Sequence, residues 1–584
     1  MNPIIGIDLG TTNSACGYLT EAGPDLVPNA LGERLTPSIV GIDGESKLVV
    51  GRAAKELQVL EPERCVGLFK RKMGQEEKIE VGGRSFSPTE LSSLVLRSLK
   101  EDAEAFFKGP VERAVITVPA YFNDQQRKAT IHAGQIAGLK VERILNEPTA
   151  AALAYGFHEA GTDQVLLVFD LGGGTFDVSL VEVFAGVLEV KASCGEVFLG
   201  GEDFTRALAA RILQRRGQMF ERAELEAPRL VSRLIQLCEK AKCKLSAQET
   251  AGVRVPNAKG ELGPQAPEEL ISRAELQAWT QNILARVETP IRRVLGDARL
   301  THDKVDEVLL VGGATRMPMV TALVQRLFGK KPQCRLHPDE VVALGAAVQA
   351  GLIGKDRRVE EMVVTDVAPF TLGMEVSKQF GTEKRHGYFL PIIHRNTTIP
   401  VSRVEVVATM APNQPDVMVK IYQGESRRVE DNLFLGEFMV AGIPAGPAGQ
   451  PVEVRFTYDL NGVLEVEATV LATQKKFSHL ITRHAKGMTR EQIVRAVKDM
   501  AKLKTHPREE TANRYLLRRA ERVYQELTAE QRDFLSQMLD AFEAALSRRD
   551  PSEIENTRTL LDRFLRQMEP EGEDYPWKTD EDDD

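Results

Sequence analysis

The chain has 584 residues, of which 42% are hydrophobic and 27% are charged, and its formal net charge is −9. A chain of this length exceeds what one hydrophobic core supports, so we expect two to four globular domains. The negative charge weighs against nucleic acid as the main partner, because phosphate binding requires a basic surface.

The first predicted region, residues 1–355, alternates short strands with helices. Buried strands are indicated by apolar runs that each end at Asp, Gly or Pro, namely Ile4–Ile7, Val115–Val118, Val165–Phe169 and Val308–Val311. Between them, apolar residues at helical spacing predict helices over 89–107, 124–137 and 228–246. This alternation is typical of an α/β fold.

Two segments of this region repeat one pattern. IIGIDLGTTNS at 4–14 and LLVFDLGGGTFDVSLVEV at 166–183 each contain an apolar strand followed by Asp, Leu, Gly, a turn of small residues and Thr. The repeat predicts two related lobes that face each other. A single turn of this kind is also typical of a hairpin corner, but here strand and turn match together in both segments.

From residue 356 the predicted elements change. Residues 356–366 form a linker, and residues 367–486 alternate apolar and polar positions as antiparallel strands do. Asn461 and Gly462 lie between two of these alternating runs, which is a strong hairpin signal. Residues 487–568 return to helical spacing and predict a small helical subdomain, and the acidic residues 569–584 predict a disordered tail.

Cysteine usage and hydropathy indicate the cellular setting. The six cysteines are scattered, and Cys238 and Cys243 have no His or Cys cluster beside them, so we expect reduced thiols without a metal site. No segment approaches the roughly 20 apolar residues that a membrane helix needs, and the N-terminus lacks a signal-peptide pattern. We therefore expect a cytoplasmic protein without a membrane partner.

The repeated turns are candidate phosphate-binding loops. No G-x-x-x-x-G-K-[ST] loop occurs, so ATP would have to be bound differently from a P-loop enzyme. Gly-rich turns let backbone N–H groups approach phosphate oxygens, and the hydroxyls of Thr11, Thr12 and Thr175 can add donors. Asp8 and Asp170 follow the two strands and could hold Mg²⁺ through water, because Mg²⁺ keeps much of its hydration.

Nine motifs, taken together, carry a resemblance to a known family. They are IDLGTTNS (7–14), NEPTAAALAYG (146–156), FDLGGGTFDVSLVEV (169–183), FLGGEDF (198–204), LVGGATRMPMV (310–320), HPDEVVALGAAVQAG (337–351), RNTTIPVSR (395–403), VKIYQGESRRVEDNLFLGEF (419–438) and VRFTYDLNGVLEVEATV (454–470). In order and spacing they resemble the 70-kDa heat-shock (DnaK-type) chaperone family. TDVAPFTLG (365–373) and the short C-terminus look most like its HscC-type branch.

The resemblance implies a multidomain chaperone that hydrolyses ATP. Residues 1–355 would be an actin-like, two-lobed nucleotide-binding domain, 356–366 an interdomain linker, 367–486 a β-sandwich that binds peptides, and 487–568 a short helical lid. The implied ligands are ATP and ADP with Mg²⁺, and K⁺ as a further cation. The implied partners are unfolded or extended polypeptides, a J-domain co-chaperone and a nucleotide exchange factor.

The resemblance also implies roles for individual residues of the ATPase region. The catalytic group would be Lys70, Glu147, Asp170 and Thr175, and the metal group would be Asp8, Asp170 and Asp177. The nucleotide would contact Thr11, Thr12, Asn13, Gly172, Gly173, Gly174, Glu239, Lys242, Ser246, Gly312, Gly313, Arg316 and Asp339. Without the resemblance, Lys70 would be interpreted as a surface lysine and Glu147 as a carboxylate at a helix start.

Three departures from the family pattern bear on function. Cys243 stands where many relatives have an Arg that can stack on adenine, which puts nucleotide affinity in doubt. Thr205 replaces a frequent Asp at the end of FLGGEDFT. The linker sequence MVVTD (362–366) replaces a run of leucines, so we expect it to dock less strongly on the ATPase region.

The remaining implied sites concern peptide and co-chaperone. The peptide pocket would be formed by Met374, Val376, Val407, Met410, Val417 and Val419, each of which could equally be an ordinary core residue. Binding in such a groove relies on backbone hydrogen bonds and one apolar anchor, so it should be promiscuous. Arg143 would meet the J-domain, and the alternative for this residue is a structural salt bridge.

Three other functions remain open from the residues alone. A sugar kinase on the same actin-like fold would explain the Asp–Gly turns but leaves 367–584 unexplained. An actin-like filament protein would not need the β-region either. A scaffold that binds ATP without hydrolysing it would not need the complete set of Asp8, Lys70, Glu147, Asp170 and Thr175.

Overall fold

A computed structural model describes residues 3–158, 164–184, 187–263, 265–356, 363–380, 383–459, 462–481, 516, 520, 529–548 and 550–568. The residues outside these ranges include most of the predicted linker and of residues 482–528, and the whole predicted tail 569–584. The expectations for those segments therefore lie outside the described residues. Within the described ranges, no helix combines the length and hydropathy needed to cross a bilayer.

The first lobe is built on a six-stranded mixed sheet with the order β11-β10-β1-β2-β3, in which β4 also pairs with β2. The strands of the whole first lobe are β1 (Ile4–Asp8), β2 (Asn13–Thr20), β3 (Gly23–Val27), β4 (Thr36–Pro37), β5 (Val40–Ile42), β6 (Leu48–Val50), β7 (Cys65–Val66), β8 (Ile79–Val81), β9 (Arg84–Phe86), β10 (Arg113–Val118) and β11 (Lys140–Asn146). Its helices are α1 (Arg52–Leu60), α2 (Pro88–Phe107), α3 (Asp124–Ile136) and α4 (Glu147–His158).

The second lobe repeats the arrangement β10-β1-β2-β3 in its strands β17-β12-β13-β14, and its six-stranded sheet continues beyond β14 with two later strands, Val363–Val367 and Thr398–Ile399. Its strands are β12 (Gln164–Leu171), β13 (Phe176–Phe184), β14 (Val187–Glu196), β15 (Thr250–Arg254), β16 (Glu268–Ser272) and β17 (Glu307–Val311). Its helices are α5 (Gly201–Arg215), α6 (Phe220–Glu226), α7 (Pro228–Ala247), α8 (Arg273–Arg286), α9 (Glu288–Asp297), α10 (Pro318–Phe328) and α11 (Val341–Ile353). In both lobes a hairpin pairs in parallel with a later strand, β1–β2 with β10 and β12–β13 with β17.

Local sequence explains where the helices begin. Ser87 caps α2 and Ser272 caps α8, each in a capping box with the Glu three residues later, and Asn123 caps α3 in the same way with Gln126. These boxes satisfy backbone N–H groups that the first helical turn leaves without partners. The predicted helices 89–107, 124–137 and 228–246 are confirmed to within one residue at each end.

The two lobes meet on helices α4 and α11, which share one buried apolar cluster with strands of both sheets. Small residues allow this close packing. A Cβ added at Gly345 of α11 would lie 1.7 Å from the carbonyl oxygen of Ala150 on α4. A Cβ added at Gly6 of β1 would lie 2.2 Å from the backbone carbon of Ala346. Each lobe also has its own large apolar core.

The β-region consists of two four-stranded antiparallel sheets, β20-β19-β23-β24 and β22-β25-β26-β27. Its strands are β19 (Leu372–Phe380), β20 (Glu383–Ile393), β21 (Thr398–Ile399), β22 (Val401–Ala408), β23 (Asp416–Gln423), β24 (Leu433–Ala441), β25 (Pro451–Tyr458), β26 (Leu464–Val470) and β27 (Lys475–Leu480). Inward-facing residues of both sheets form one apolar core, including Val419 and Ile421 from one sheet and Val454 and Phe456 from the other.

Part of the predicted linker is a strand. Residues Val363–Val367 form β18, which pairs in parallel with β14 of the second lobe and in antiparallel fashion with β21 of the β-region. Strand β18 therefore joins the sheet of the second lobe to the β-region by backbone hydrogen bonds. Beyond the β-region, the helices α12 (Ala529–Arg548) and α13 (Pro551–Met568) pack on each other, and α12 contacts β22.

Candidate functional site

The two Asp–Gly–Thr turns face each other across the contact between the lobes. Thr11 and Thr12 lie in the turn between β1 and β2, and Gly173 and Gly174 lie in the turn between β12 and β13. A Cβ added at Gly173 would lie 1.8 Å from Thr12 Oγ1, and one added at Gly174 would lie 2.3 Å from Thr11 Cγ2. Only glycine permits this approach, so the turns predicted as phosphate loops are direct neighbours.

The second turn is held by contacts that the sequence did not single out. The backbone N–H groups of Gly201 and Glu202, at the start of α5, donate to the carbonyl oxygens of Gly172 and Gly173 at 2.9 and 2.8 Å. Arg71 Nε donates to the carbonyl oxygen of Gly174 at 2.8 Å, and Arg71 forms an ion pair of 2.6 Å with Asp203. Arg71 directly follows Lys70, which is the signal that could have drawn attention to it.

A lysine and four carboxylates lie beside these turns. Lys70 Nζ donates to Glu147 Oε1 at 2.6 Å, and both side chains are buried. Asp8 Oδ1 accepts a hydrogen bond of 3.0 Å from Thr117, and the backbone N–H of Ala120 donates to Asp177 Oδ1 at 3.0 Å. Asp170 is paired with Asp177 across the β12–β13 hairpin. The predicted catalytic and metal residues are thus brought together.

Burial of so much negative charge disfavours ionisation. Desolvation, with the carboxylate of Glu147 adding to it, raises the pKa of Asp8 to about 7 and that of Asp177 to about 8, while the ammonium of Lys70 opposes both shifts. The pKa of Asp170 is raised by the same causes. A cation placed among these carboxylates would favour their charged forms.

Two buried oxygens in this cluster lack hydrogen-bond partners. Thr12 Oγ1 and Asp177 Oδ2 are both enclosed, and neither has a partner among the described residues. Buried polar atoms of this kind are normally satisfied by water, an ion or a ligand. The residues present therefore fit a hydrated cation with a phosphate group. In the described part of the chain, no three acidic, His or Cys side chains converge to ligate a metal directly.

One cleft of about 670 Å³ is lined by six of the residues predicted for the adenosine side, Glu239, Lys242, Ser246, Gly313, Arg316 and Asp339, whereas Gly312 is not among its lining residues. Glu239, Lys242 and Ser246 recur at helical spacing on α7 and so share one face of that helix. Gly313, Arg316 and Asp339 approach from the opposite wall, and a Cβ at Gly313 would lie 2.4 Å from Asp339 Oδ1. Arg316 Nη2 lies 3.3 Å from Asp339 Oδ2 and 2.8 Å from His337 Nε2, a residue that the sequence did not single out.

Cys243 lies in the wall of this cleft. Its thiol is 3.5 Å from Glu239 Oε1, one helical turn earlier. Burial and the charge of Glu239 raise the pKa of Cys243 to about 11, so the thiol is neutral near pH 7. A small uncharged group therefore occupies this part of the cleft wall.

The predicted peptide residues lie together in the β-region, with one exception. Met374 and Val419 are enclosed in the core between the two sheets, and Val376, Val407 and Val417 pack against that core. Met410 follows strand β22, and its backbone N–H donates to Gln414 Oε1 at 2.9 Å. Met374 and Val419 thus belong to the core and the other three are partly buried beside it, and their role as a peptide pocket stays a prediction.

Arg143 lies away from the nucleotide residues and near the strand β18. Its Nη1 donates to Gln349 Oε1 on α11 at 3.0 Å, and the carboxylate of Asp366 interacts electrostatically with its guanidinium group. Asp366 accepts a hydrogen bond of 2.7 Å from Asn146, the residue before Glu147. The residue predicted to meet a co-chaperone therefore lies near Asp366 of β18, which itself hydrogen-bonds to the residue before Glu147.

The two-lobed region and the β-region also contact each other directly. The backbone N–H of Asp124 on α3 donates to Gln423 Oε1 on β23 at 3.1 Å, and both residues are buried. Asp297, at the end of α9, pairs with Arg395 at 2.6 Å and accepts from Asn396 at 2.9 Å. The strand β18 thus lies between two further contacts that join the regions.

Comparisons with known proteins agree with this geometry. A family model described as "Hsp70 protein" matches residues 4–575. The chain is 41% identical over 504 residues to the protein "Chaperone protein DnaK" of Thermotoga neapolitana, a match that covers 85% of this chain and 83% of the relative. The proteins of the same name from Thermotoga petrophila and Thermotoga maritima match with the same identity and coverage.

Proposed function

The chain belongs to the Hsp70 family of ATP-dependent chaperones and is an ATPase, and from that premise we propose which residues perform each step. ATP binds with its phosphates between Thr11–Asn13 and Gly172–Thr175, and its adenosine lies against the faces of α7 and of Gly312–Arg316 with Asp339. The observation that carries this proposal is the direct contact of the two glycine-rich turns beside a buried lysine–carboxylate cluster.

Hydrolysis is proposed to depend on positioning and on charge. Lys70 directs its ammonium towards the terminal phosphate and the attacking water, and Glu147 orients that lysine through their 2.6 Å hydrogen bond. Thr175 adds a hydroxyl donor at the second turn. Mg²⁺, held by Asp8, Asp170 and Asp177 through its waters, would supply charge neutralisation of the phosphates.

The β-region is proposed to bind extended polypeptide. In this proposal residues 1–355 are the ATPase domain, 367–486 a β-sandwich and 487–568 a lid, and the pocket forms around Met374, Val376, Val407, Met410, Val417 and Val419. Support comes from the shared core of the two sheets and from the five of these residues that cluster in it. Opening the pocket would require these side chains to part.

Strand β18 is proposed to carry the signal between the two regions. It pairs with both sheets, and Asp366 within it accepts from Asn146, the neighbour of Glu147. A change in the position of Glu147 can therefore be passed to Asp366 of the linker through the adjacent Asn146. The J-domain partner at Arg143, an exchange factor, the HscC-type branch and a cytoplasmic location stay predictions of the sequence.

The test is ATP hydrolysis by the purified chain with Mg²⁺, in the presence and absence of an unfolded apolar peptide. We expect slow hydrolysis that the peptide stimulates, and no stimulation by a matched peptide in which Asp replaces the apolar residues. Hydrolysis only in the presence of a sugar would instead indicate a kinase, and sedimentation with ATP would indicate a filament. Equal stimulation by both peptides would contradict an apolar pocket.

A further inference from the structure

Three cations converge on the ring of Tyr388 in the β-region. Lys378 Nζ lies 5.4 Å from the centre of this ring, and the guanidinium carbons of Arg427 and Arg428 lie 5.6 and 4.8 Å from it. Cations at such distances are attracted by the electron-rich face of an aromatic ring. Tyr388 is 8% exposed, whereas Lys378 and Arg427 are exposed, so positively charged groups cover the ring at the surface.

Strand pairing brings these cations together from separate parts of the chain. Lys378 lies on β19, two residues after Val376, and Tyr388 lies on β20 directly opposite Val376. Strand β20 is at the edge of its sheet, and an isolated β-bridge joins Tyr388 to Arg428 there. The segment 427–428 therefore adds its two arginines to the edge of the sheet beside the lysine of β19.

Their positive charge is only partly neutralised. Among the described residues, the three cations have one carboxylate partner, Glu430, whose Oε1 lies 3.5 Å from Arg428 Nε. That pair is exposed, so water screens it. The cations also repel each other, because they lie roughly within the Debye length, about 10 Å at 0.1 M salt. A further carboxylate beside the ring would relieve this repulsion and accept charge-assisted hydrogen bonds.

We propose that Lys378, Arg427 and Arg428 form a subsite for acidic residues that flank the apolar anchor of a bound peptide, so that this chain prefers apolar segments with Asp or Glu beside them. The inference rests on the proposed peptide-binding function. Val376 belongs to the predicted pocket, and residues paired across strands, such as Val376 and Tyr388, share one face of a sheet. A peptide anchored at Val376 therefore has its flanking residues beside the cations.

A polypeptide fits this subsite better than a large anionic surface does. The chain carries a net charge of −9, which repels nucleic acid and anionic membranes at long range. Three cations around one ring match one or two carboxylates on an extended chain, and the fork of an arginine suits carboxylate geometry. The adjoining apolar residues have no counterpart in a phosphate backbone.

The experiment measures the affinity of the full chain, with Mg-ADP present, for three fluorescent peptides. The peptides share a leucine-rich centre and carry two Glu, two Ser or two Lys on each side. In fluorescence anisotropy the Glu-flanked peptide should bind about fivefold more tightly than the Ser-flanked one, and the Lys-flanked peptide should bind least tightly, as expected for one or two exposed ion pairs. The differences should shrink as salt is raised, because exposed charges are screened.

Substitutions test whether these cations are responsible. The double variant Lys378→Gln/Arg427→Gln removes two exposed charges and should reduce the ratio of Glu-flanked to Lys-flanked affinity to within about threefold. The charge reversal Lys378→Glu should favour the Lys-flanked peptide. Lys475→Gln is the matched control, because Lys475 is exposed and lies 5.0 Å from the centre of the Phe477 ring, but on β27 of the other sheet. It should bind all three peptides as the native chain does.

The results separate this inference from the peptide-binding function itself. Binding of the Ser-flanked peptide without a preference for Glu over Lys overturns the inference, and so does a preference that the double variant retains. Equally tight binding of a Glu-rich peptide without the leucine centre, or binding of phosphatidylserine vesicles in place of the acidic peptide, would also overturn it. Failure of all three peptides to bind would overturn the proposed peptide-binding function and this inference with it.

Discussion

Substituting Lys70 by Met should abolish hydrolysis and also lower stability. Lys70 and Glu147 are joined at 2.6 Å, and their side chains are only 3% and 8% exposed. Removing one partner of a buried ion pair costs about 3–5 kcal/mol of unfolding free energy, because the other charge stays buried without compensation. Lys70 is also proposed to stabilise the negative charge that develops on the transferred phosphate, and loss of one such preorganised donor lowers turnover by a further factor of about 10²–10³.

The assay is single-turnover ATP hydrolysis, measured together with ADP affinity and thermal unfolding. Lys72→Met is the matched control, because Lys72 lies two residues further on and its side chain is 44% exposed in a pair with Glu77. Exposed pairs contribute about 0–1 kcal/mol, so the control should hydrolyse ATP normally and unfold near the native temperature. The double variant Lys70→Met/Glu147→Gln should regain stability without regaining hydrolysis.

Two results would refute this reasoning. Turnover by Lys70→Met within about threefold of the native rate would remove Lys70 from the catalytic group and leave the metal-binding carboxylates as the main catalyst. A loss of ADP affinity as large as the loss of turnover would show that the lysine acts in nucleotide binding, since ADP lacks the γ-phosphate that the lysine is proposed to contact.

Three further predictions concern the co-chaperone, pH and the linker. Arg143→Asp should lose J-protein stimulation while basal ATPase stays, and a fall in basal rate or melting temperature would indicate a structural role through its contact with Gln349. The raised pKa values of Asp8 and Asp177 mean that a bound cation must displace protons from these carboxyl groups, so Mg-ADP affinity should rise with pH to about 8 and then level off. Calorimetry in buffers of different ionisation enthalpy would detect the released protons. An affinity that does not change with pH would exclude this linkage. Because the linker is valine-rich and the helices are short, the ADP form should release a fluorescent peptide quickly in stopped flow. The double substitution Val363→Leu with Val364→Leu should restore part of the ATP response. Release as slow as from a full-length DnaK-type protein would contradict weak coupling.

The family and the ATPase elements could be predicted from the sequence because their signals are local. A buried strand, the Asp at its end and the small residues of the following turn lie within about ten residues of one another, as in IIGIDLGTTNS, and the helix starts are marked by capping residues such as Ser87 and Asn123. The repeat of one such unit at 166–183 also predicted the two lobes, whose sheets share their strand order and pairing. The choice of Lys70 and Glu147 depended on the family resemblance, since nothing local distinguishes them from surface residues.

Contacts between distant parts of the chain were decided only by the tertiary structure. Arg71 meets Asp203 across 132 residues, and Asp124 meets Gln423 across 299 residues. Such pairs depend on how the lobes and sheets pack, and no period or turn signal records that packing. The contacts of Thr205 were decided for the same reason: a threonine on α5 is an ordinary helix residue until α7 brings Lys242 and Glu239 against it.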